Sequence, residues 1–368
     1  MRNIIKSDKT FLIIGIISLI LVLLLPNLHD YSSYVKQWSD LLESNNPSSA
    51  YGVFYNIFVI FFYLFSKLPK AIFVIFYLIS VYFVINYAKN QAIKHKKILL
   101  YILIFNPIFW IFGIVYGSND TFLTGITIIA LLAEIKSKGK ISGALFAVGS
   151  TFKFTPLFIL PFLIINKLKI NFKILLSFFL FASIIILIGY SFWGVEILNP
   201  ISFGSFRESK MFSIFRFIRG ELQPLSFIEI HNLDSISIWL MIGSWLICFL
   251  IYIIWSFDKY LMILLAYSNV LLFYKVIHHQ FYLLLLFLTI VIYIMHYKTI
   301  IKNKYLIISG ILFWTWIFFF TIFYGLTHFL GQYSIIREII GAPTFLLHLS
   351  FNLLLLRHIY KYSKKETL

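Results

Sequence analysis

The sequence predicts an all-α integral membrane protein, a polytopic helical bundle of about 11–13 transmembrane helices, and three observations support this. First, 61% of the 368 residues are hydrophobic and only 12% are charged, with a mean hydropathy of +0.92, which is outside the range of water-soluble domains. Second, apolar runs of about 20 residues, long enough to cross a hydrocarbon core, recur from Phe11 to Arg357. Third, these runs are apolar on every face, whereas barrel strands alternate.

Basic residues fill the gaps between the apolar runs and predict which gaps face the cytoplasm. The net charge of +17 would indicate nucleic-acid binding in a soluble protein, but most of the 31 Lys and Arg residues lie between apolar runs, where they set topology and imply no nucleic-acid partner. The gaps predicted to be cytoplasmic are 1–10, 89–97, 136–140, 166–173, 258–259, 298–304 and 357–365. Alternation places the others on the outer face: 27–50, 116–120, 193–235, 275–280 and 324–343.

Two apolar segments do not fit this alternation as simple spans. A full crossing by residues 53–65 would reverse the orientation of everything that follows, so we predict a helix or hairpin in the outer leaflet, with Lys67 and Lys70 at the interface. Residues 141–165 are interrupted by Lys153 and a proline, which predicts two half-length or tilted helices. Broken helices at membrane depth usually line a cavity.

The chain shows no fixed-period repeat and no soluble domain, so we predict one transmembrane domain, residues 1–368. Its main outer loops are 27–70, which carries juxtamembrane helices, and 194–236. The single cysteine, Cys248, lies in an apolar run and supports neither a disulfide framework nor a cysteine metal site. Richness in Ile, Lys, Phe and Asn is typical of AT-rich prokaryotic genomes and favours a prokaryotic cell membrane. Chemistry must then be carried out by outer loops and helix ends.

The first outer loop begins with Asp30, just beyond the first apolar run. An amphipathic helix is predicted to follow and to lie on the membrane, because its apolar side chains fall on one helical face. Asp30 could be the N-cap of that helix or a functional carboxylate at the boundary between water and lipid. The residues of the apolar face are Tyr34, Trp38, Leu41 and Leu42.

Asp120 and Lys153 are the next two candidates. Asp120 lies in the tight outer turn 116–121 and could cap the following helix or contact a substrate. Lys153 stands among apolar residues, where an ammonium must either snorkel to the interface or pair with a counter-charge. An ion at membrane depth is by default a functional candidate.

The third outer loop interleaves basic and aromatic side chains. This pattern suits a lipid phosphate, because arginine makes bidentate charge-assisted hydrogen bonds while aromatic side chains stay in the interface. An interfacial amphipathic helix without a ligand is the alternative. The basic residues are Arg207, Lys210, Arg216 and Arg219.

A later outer junction carries the adjacent histidines His278 and His279 between Lys275 and Gln280. Neighbouring side chains on a helix project in different directions, so a two-histidine metal site within one turn is not expected. Hydrogen bonding to a polar substrate is the preferred interpretation. No metal-ligating residues are predicted.

In this order, the elements resemble the GT-C superfamily of polyprenyl-phosphate-sugar-dependent glycosyltransferases, integral membrane enzymes that act on the outer or lumenal side. The turn 116–120 resembles their Gly-Gln-x-Asp turn, with Ser118 where Gln is common. The segment 136–161 resembles the basic turn, small-residue helix and Lys-x-x-Pro that follow, and it is the most specific block. The segment 274–282 is similar to a late segment of dolichyl-phosphate-mannose-dependent mannosyltransferases.

The resemblance implies a GT-C-like fold and an inverting transfer of a hexose, expected to be mannose, from a polyprenyl or dolichyl phosphate to a lipid-linked or glycolipid acceptor on the extracytoplasmic face. Asp30 is the expected general base, and the basic third loop would neutralise the leaving phosphate. No cofactor is assigned, but His29-Asp30 in place of the family's Asp-x-Asp leaves a divalent metal ion open. The other substrate-binding candidates are Asp120, Lys153, Lys275, His278, His279 and Gln280.

Two alternative functions stay open at this stage. A polymerase or ligase of lipid-linked glycans would also need basic outer loops. A transporter or flippase of lipid-linked sugars would show inverted repeats and polar residues at the bilayer midplane, neither of which is clear in the sequence.

Overall fold

The structure is a computed structural model that describes residues 2–166, 169–200, 210, 212–220, 230–329 and 339–366. Helices make up most of the described residues. The strands in the described ranges have two residues each, β1 (Ile165–Asn166) and β2 (Lys169–Ile170), and pair antiparallel. The prediction of an all-α polytopic membrane protein is therefore confirmed.

The helices are of very unequal length. Up to residue 200 they are α1 (Arg2–Leu24), α2 (His29–Ser44), α3 (Val53–Ile57), α4 (Val59–Leu64), α5 (Leu68–Asn90), α6 (Lys96–Phe105), a π-helix (Phe109–Val115), α7 (Asp120–Ile135), α8 (Gly139–Phe152), a 3-10 turn (Thr155–Phe158), α9 (Leu160–Ile164), α10 (Phe172–Trp193) and a 3-10 turn (Gly194–Leu198). The later ones are α11 (Ile214–Gly220), α12 (Ile230–Trp255), α13 (Lys259–Phe273), a 3-10 turn (His279–Phe281), α14 (Tyr282–Met295), α15 (Tyr297–Ile300), α16 (Lys304–Phe329) and α17 (Gly341–Glu366).

Only some of these helices are long and apolar enough to cross a membrane. In the described part of the chain, four qualify: Leu68–Asn90, Phe172–Leu198, Ser235–Trp255 and Lys304–His328. A fifth follows if α6 and the π-helix, bent by 47° where they meet, form one broken span. Other apolar helices are shorter, so backbone breaks occur within the hydrophobic part of the protein, where they are tolerated only against protein or water.

The two irregular segments behave largely as predicted. The apolar stretch Val53–Leu64 forms α3 and α4; at about 1.5 Å per residue it is too short to cross a core of about 30 Å. Further along, α8 ends at Phe152, and Lys153 is extended, with φ −156° and ψ 138°. The 3-10 turn Thr155–Phe158 follows the break. The predicted interruption of residues 141–165 is therefore confirmed.

The helix of the first outer loop is present as α2, but its apolar face contacts protein. Trp38 is fully buried; its ring stacks on Tyr55 with centroids 5.1 Å apart, and its Nε1–H donates to the Tyr55 carbonyl at 3.3 Å. Tyr34 is also buried, whereas Leu42 is 49% exposed. The prediction that this face lies on lipid is wrong for the aromatic residues, because α3 and α4 supply aromatic partners that cover them.

The chain divides into two compact units. The first unit is Met1–Leu160 with Asn171–Phe206, and the second is Pro161–Ile170 with Arg207–Leu368. In the first, α8 packs against α7 and α10, and α7 packs against α5. In the second, α13 packs against α12 and α17, and α16 packs against α17. Each unit contains its own group of sequence-predicted site residues.

Candidate functional site

In the first unit, Asp120 and Lys153 form an ion pair. The Lys153 Nζ donates to the Asp120 Oδ1 at 2.7 Å, and the two side chains are only 11% and 5% exposed, respectively. Lys153 is the first residue after α8 and is extended, and its side chain reaches Asp120 at the start of α7. The snorkelling interpretation is therefore replaced by pairing, which is what makes a buried ammonium tolerable.

Asp120 does not cap α7 with its side chain. It is the first residue of the helix, and the N-cap position belongs to Asn119, whose side chain makes no capping hydrogen bond. The Ser118 hydroxyl donates to the Asp120 Oδ2 at 3.2 Å. Ser118, which stands where the resembled turn often has Gln, thus holds the second carboxylate oxygen while Lys153 holds the first.

Asp30 is the second residue of α2 and is half-buried. The N-cap is Leu28, without a side-chain capping bond, so the N-cap interpretation of Asp30 is wrong. A carboxylate in the first turn still interacts favourably with the helix dipole. The Tyr31 N–H donates to the Tyr116 carbonyl at 3.0 Å, which attaches the start of α2 to the turn that precedes Asp120.

Asp30 and Asp120 both raise the pKa of the same tyrosine, Tyr34. Burial raises the pKa of the Tyr34 hydroxyl well above its usual value, and Tyr51, Asp30 and Asp120 raise it further through electrostatic repulsion of the phenolate. Asp30 and Asp120 are therefore both within electrostatic reach of one buried hydroxyl. We call Asp30, Asp120, Lys153 and Tyr34 the acidic site.

Aromatic side chains border the acidic site. The Tyr51 hydroxyl donates to the Tyr34 hydroxyl at 3.4 Å, and the rings of Tyr51 and Tyr55 lie 4.4 Å apart. The Gly52 N–H donates to the Phe152 carbonyl at 3.1 Å, and a Cβ at Gly52 would collide with the Thr151 carbonyl. This close approach joins the tyrosines to the end of α8, beside Lys153. Tyrosine offers an apolar face and a polar tip, a combination suited to a sugar.

In the second unit, the basic loop and the histidine segment, residues 275–280, contact each other. The Lys210 N–H donates to the Lys275 carbonyl at 2.7 Å. The Phe212 ring lies 4.3 Å from the His279 ring, edge to face. Residues more than sixty positions apart are thereby placed side by side, a convergence that no local sequence pattern could indicate.

The two histidines have different hydrogen-bond partners. The His278 Nδ1 is 2.6 Å from the Gln280 Oε1, an acceptor, so Nδ1–H donates. The His279 Nδ1 is 2.9 Å from the Thr321 Oγ1, whose own hydrogen goes to the Ile317 carbonyl, so this Nδ1–H donates as well. His278 is extended and precedes the 3-10 turn, so the two histidines do not project from one helix as the sequence argument assumed. Their rings lie 5.1 Å apart, and both contact the Tyr324 ring.

The remaining predicted residues are less informative. Arg207 lies outside the described residues, as does the side chain of Arg219. Lys210 is exposed, Arg216 is half-buried in α11, and Lys275 is buried. Within the described ranges, no three His, Cys, Asp or Glu side chains are grouped as metal ligands.

One residue of this region was not singled out as a site candidate from the sequence. Lys70, expected at the interface, is completely buried, and its Nζ donates to the Val115 carbonyl at 3.1 Å. The available signal was a lysine in the first turn of the apolar helix α5, next to a membrane-length run.

A comparison with protein families bears on this site. The sequence model of Glycosyltransferase family 87 matches residues 50–209, a range that includes Asp120 and Lys153 and covers less than half of the chain. No curated protein matches the chain significantly. The family is of the GT-C type and polyprenyl-phosphate-dependent, so the resemblance drawn from the motifs is confirmed.

Proposed function

We propose that this membrane glycosyltransferase transfers a hexose, mannose in our proposal, from a polyprenyl or dolichyl phosphate to a glycolipid or other lipid-linked acceptor. The observation that carries the proposal is the acidic site, in which two carboxylates in unlike surroundings are bordered by tyrosines. Asp120 and Lys153 lie within the region of the family match, and Asp30 and Tyr34 precede it. The reaction takes place on the extracytoplasmic face and inverts the anomeric configuration.

Asp30 is the proposed general base. The acceptor oxygen attacks the anomeric carbon and forms the new C–O bond, its proton passes to the Asp30 carboxylate, and the bond to the phosphate oxygen breaks with the electron pair leaving on the phosphate. Asp120 is less suited to accept a proton, because Lys153 and Ser118 already occupy both of its oxygens. In this proposal Asp120 and Lys153 position sugar hydroxyls.

Residues of the second unit are proposed to bind the donor's other groups. Arg216, together with Lys210 and the remaining arginines of the loop, Arg207 and Arg219, would neutralise the charge that develops on the phosphate. The side chains of the histidine segment would hydrogen-bond the donor. Contact between the loop and this segment supports assigning them to one ligand.

The proposal also includes the topology. The chain acts as one transmembrane domain, with loops 27–70 and 194–236 extracytoplasmic and the basic gaps cytoplasmic, in a prokaryotic cell membrane. Labelling of Ser33→Cys, introduced into a Cys248→Ala background, should occur from the outside of intact cells. Labelling only after the cytoplasmic side is opened would contradict it.

The transfer reaction can be tested directly. Purified protein is incubated with radiolabelled polyprenyl-phosphate sugars and a membrane lipid extract, and we expect label to move to a lipid acceptor with mannose as the preferred sugar. Addition of many sugar units would favour a polymerase. Movement of intact donor across a vesicle membrane, without transfer, would favour a flippase and overturn the proposal.

A further inference from the structure

We infer that Lys70 is a positioning residue of the acidic site: it holds the start of α2, which carries Asp30, against the turn that carries Asp120. The inference rests on the proposed function for its effect on turnover. Its structural part, a junction of three chain segments around a buried ammonium, can be tested without any substrate.

The ammonium lies between two of these segments. Lys70 is on the first turn of α5, and its Nζ donates to the Val115 carbonyl at 3.1 Å, at the end of the π-helix. The same Nζ lies 5.6 Å from the centroid of the Tyr31 ring, within the range of a cation–π interaction. Lys70 therefore contacts the residue that follows Asp30 and the segment that leads to Asp120.

Tyr31 completes the junction from the side of α2. It is completely buried, its hydroxyl donates to the Ser66 carbonyl at 2.6 Å, and its N–H donates to the Tyr116 carbonyl at 3.0 Å. Tyr31 thus attaches α2 to the segment before α5 through its side chain and to the turn through its backbone. Because Asp30 is its neighbour, a shift of Tyr31 moves the proposed base.

Gly117 shows how closely Lys70 and Tyr31 pack against the turn. Its φ of +66° is in the left-handed region, and a Cβ built on it would lie 2.8 Å from the Lys70 Cε and 2.8 Å from the Tyr31 Cβ. The lysine stem and the tyrosine therefore pack directly on the glycine backbone. Any side chain at Gly117 must displace at least one of them.

The buried charge on Lys70 also supports a positioning role. Among the described residues, no carboxylate lies within ion-pair distance of it, and an unpaired buried ammonium is destabilising compared with an apolar side chain of similar volume. What the ammonium adds is its bond to Val115 and its attraction to the Tyr31 ring. Both interactions act on the geometry between Asp30 and Asp120.

Lys67 is a matched control on the same stretch of chain. Its Nζ donates to the carbonyls of Leu23 and Leu25, at 2.7 and 2.6 Å, so it satisfies the C-terminal end of α1. In the described residues it has no contact with the turn that carries Asp120. If removing any lysine from this region had a general effect, replacement of Lys67 and replacement of Lys70 should both show it.

The test compares Lys70→Met with Lys67→Met and Gly117→Ala. With the labelled polyprenyl-phosphate sugar and lipid extract, we expect Lys70→Met to lower kcat about 100-fold, as for a displacement of about 1 Å, with donor KM changed less than threefold. Lys67→Met should keep wild-type kcat even if its thermal stability falls. Gly117→Ala retains both charges and should resemble Lys70→Met.

Amide hydrogen exchange provides the substrate-free measurement. Exchange at residues 28–31 and 116–121 should become faster in Lys70→Met and stay unchanged in Lys67→Met. Unchanged exchange, or a wild-type kcat in Lys70→Met, would overturn the inference. A wild-type protein that transfers no sugar would instead count against the proposed function, and the exchange data would still decide whether the junction exists.

Discussion

The acidic site and the histidine segment differ in how they hold their polar groups. In the acidic site the contacts involve full charges, with Lys153 and Asp120 2.7 Å apart in nearly dry surroundings. In the histidine segment the rings bond to uncharged partners: the His278 ring to an amide oxygen and the His279 ring to a hydroxyl. In our proposal the acidic site accepts a proton at Asp30 and stabilises charge through the ion pair, whereas the histidine segment orients hydroxyl groups.

The difference has consequences for what each group of residues tolerates. Removing one partner of a buried ion pair is strongly destabilising, because the other charge is left buried and unpaired. A neutral hydrogen bond contributes about 0.5–1.5 kcal/mol and can be lost without unfolding the protein. Substitutions in the acidic site should therefore affect rate and stability severely, and those in the second unit should act mainly on binding.

The largest effect is expected for Asp30→Asn. If Asp30 is the base, the rate of transfer should fall by about 10²- to 10⁴-fold with donor affinity unchanged, because the amide keeps the shape but cannot accept the proton. Asp40→Asn, an exposed change on the same helix, is the control and should be neutral. Near-normal turnover by Asp30→Asn would contradict the assignment, as would an Asp120→Asn variant that is inactive while Asp30→Asn only expresses poorly.

The ion pair should show a large effect on stability. Asp120→Asn and Lys153→Met should each lower the free energy of unfolding in detergent by about 3–5 kcal/mol, because each leaves one buried charge. The double variant should recover much of that loss without recovering activity. Lys138→Met, an exposed change in the same unit, controls for the loss of a lysine. Strictly additive losses would show that the two side chains do not stabilise each other.

A moderate effect on binding is expected in the second unit. Replacing Arg216 and Arg219 together by Gln should raise the donor Kd by about 10- to 100-fold, since a hydrogen bond to a charged group contributes about 1.5–3 kcal/mol. Stability should change little. Arg357→Gln, which removes an exposed arginine at the predicted cytoplasmic side, should leave the Kd unchanged. Unchanged donor affinity with weaker acceptor binding would reassign the loop to the acceptor.

The smallest effect concerns Asp258, which precedes α13 in the second unit. Burial alone would raise the pKa of this carboxyl, but His296, with its Nε2 at 3.2 Å, and the N–H groups of Leu261 and Tyr260 lower it below the ordinary value. The resulting stability is present above the unfolded-state pKa of about 3.9 and is lost as the pH falls through the folded-state pKa.

Replacement of Asp258 by Asn should therefore lower stability at neutral pH by about 0.3–1 kcal/mol, the usual contribution of a carboxylate at a helix N-terminus. Thermal unfolding measured against pH should show the two proteins converging as the pH falls below 4. A difference that persists there would mean that the charge is not responsible.

Several features of the protein could be predicted from the sequence alone, because they depend on composition and on neighbouring residues. The all-α membrane class follows from long apolar runs, the break at Lys153 from a charge and a proline inside such a run, and the candidate status of Asp30 and Asp120 from their positions at helix starts. The resemblance to the GT-C enzymes also rests on short contiguous motifs. A family match over residues 50–209 agrees with it.

Only the tertiary structure decided which of these side chains act on each other. Asp120 and Lys153 are 33 positions apart, and Lys70 contacts a turn 45 positions away, so hydropathy and spacing could not reveal either contact. For the same reason, α2 was expected to place its aromatic face on lipid. A local pattern specifies that a face is apolar, but the surface that covers it is set by the path of the whole chain, which here brings α3 and α4 against it.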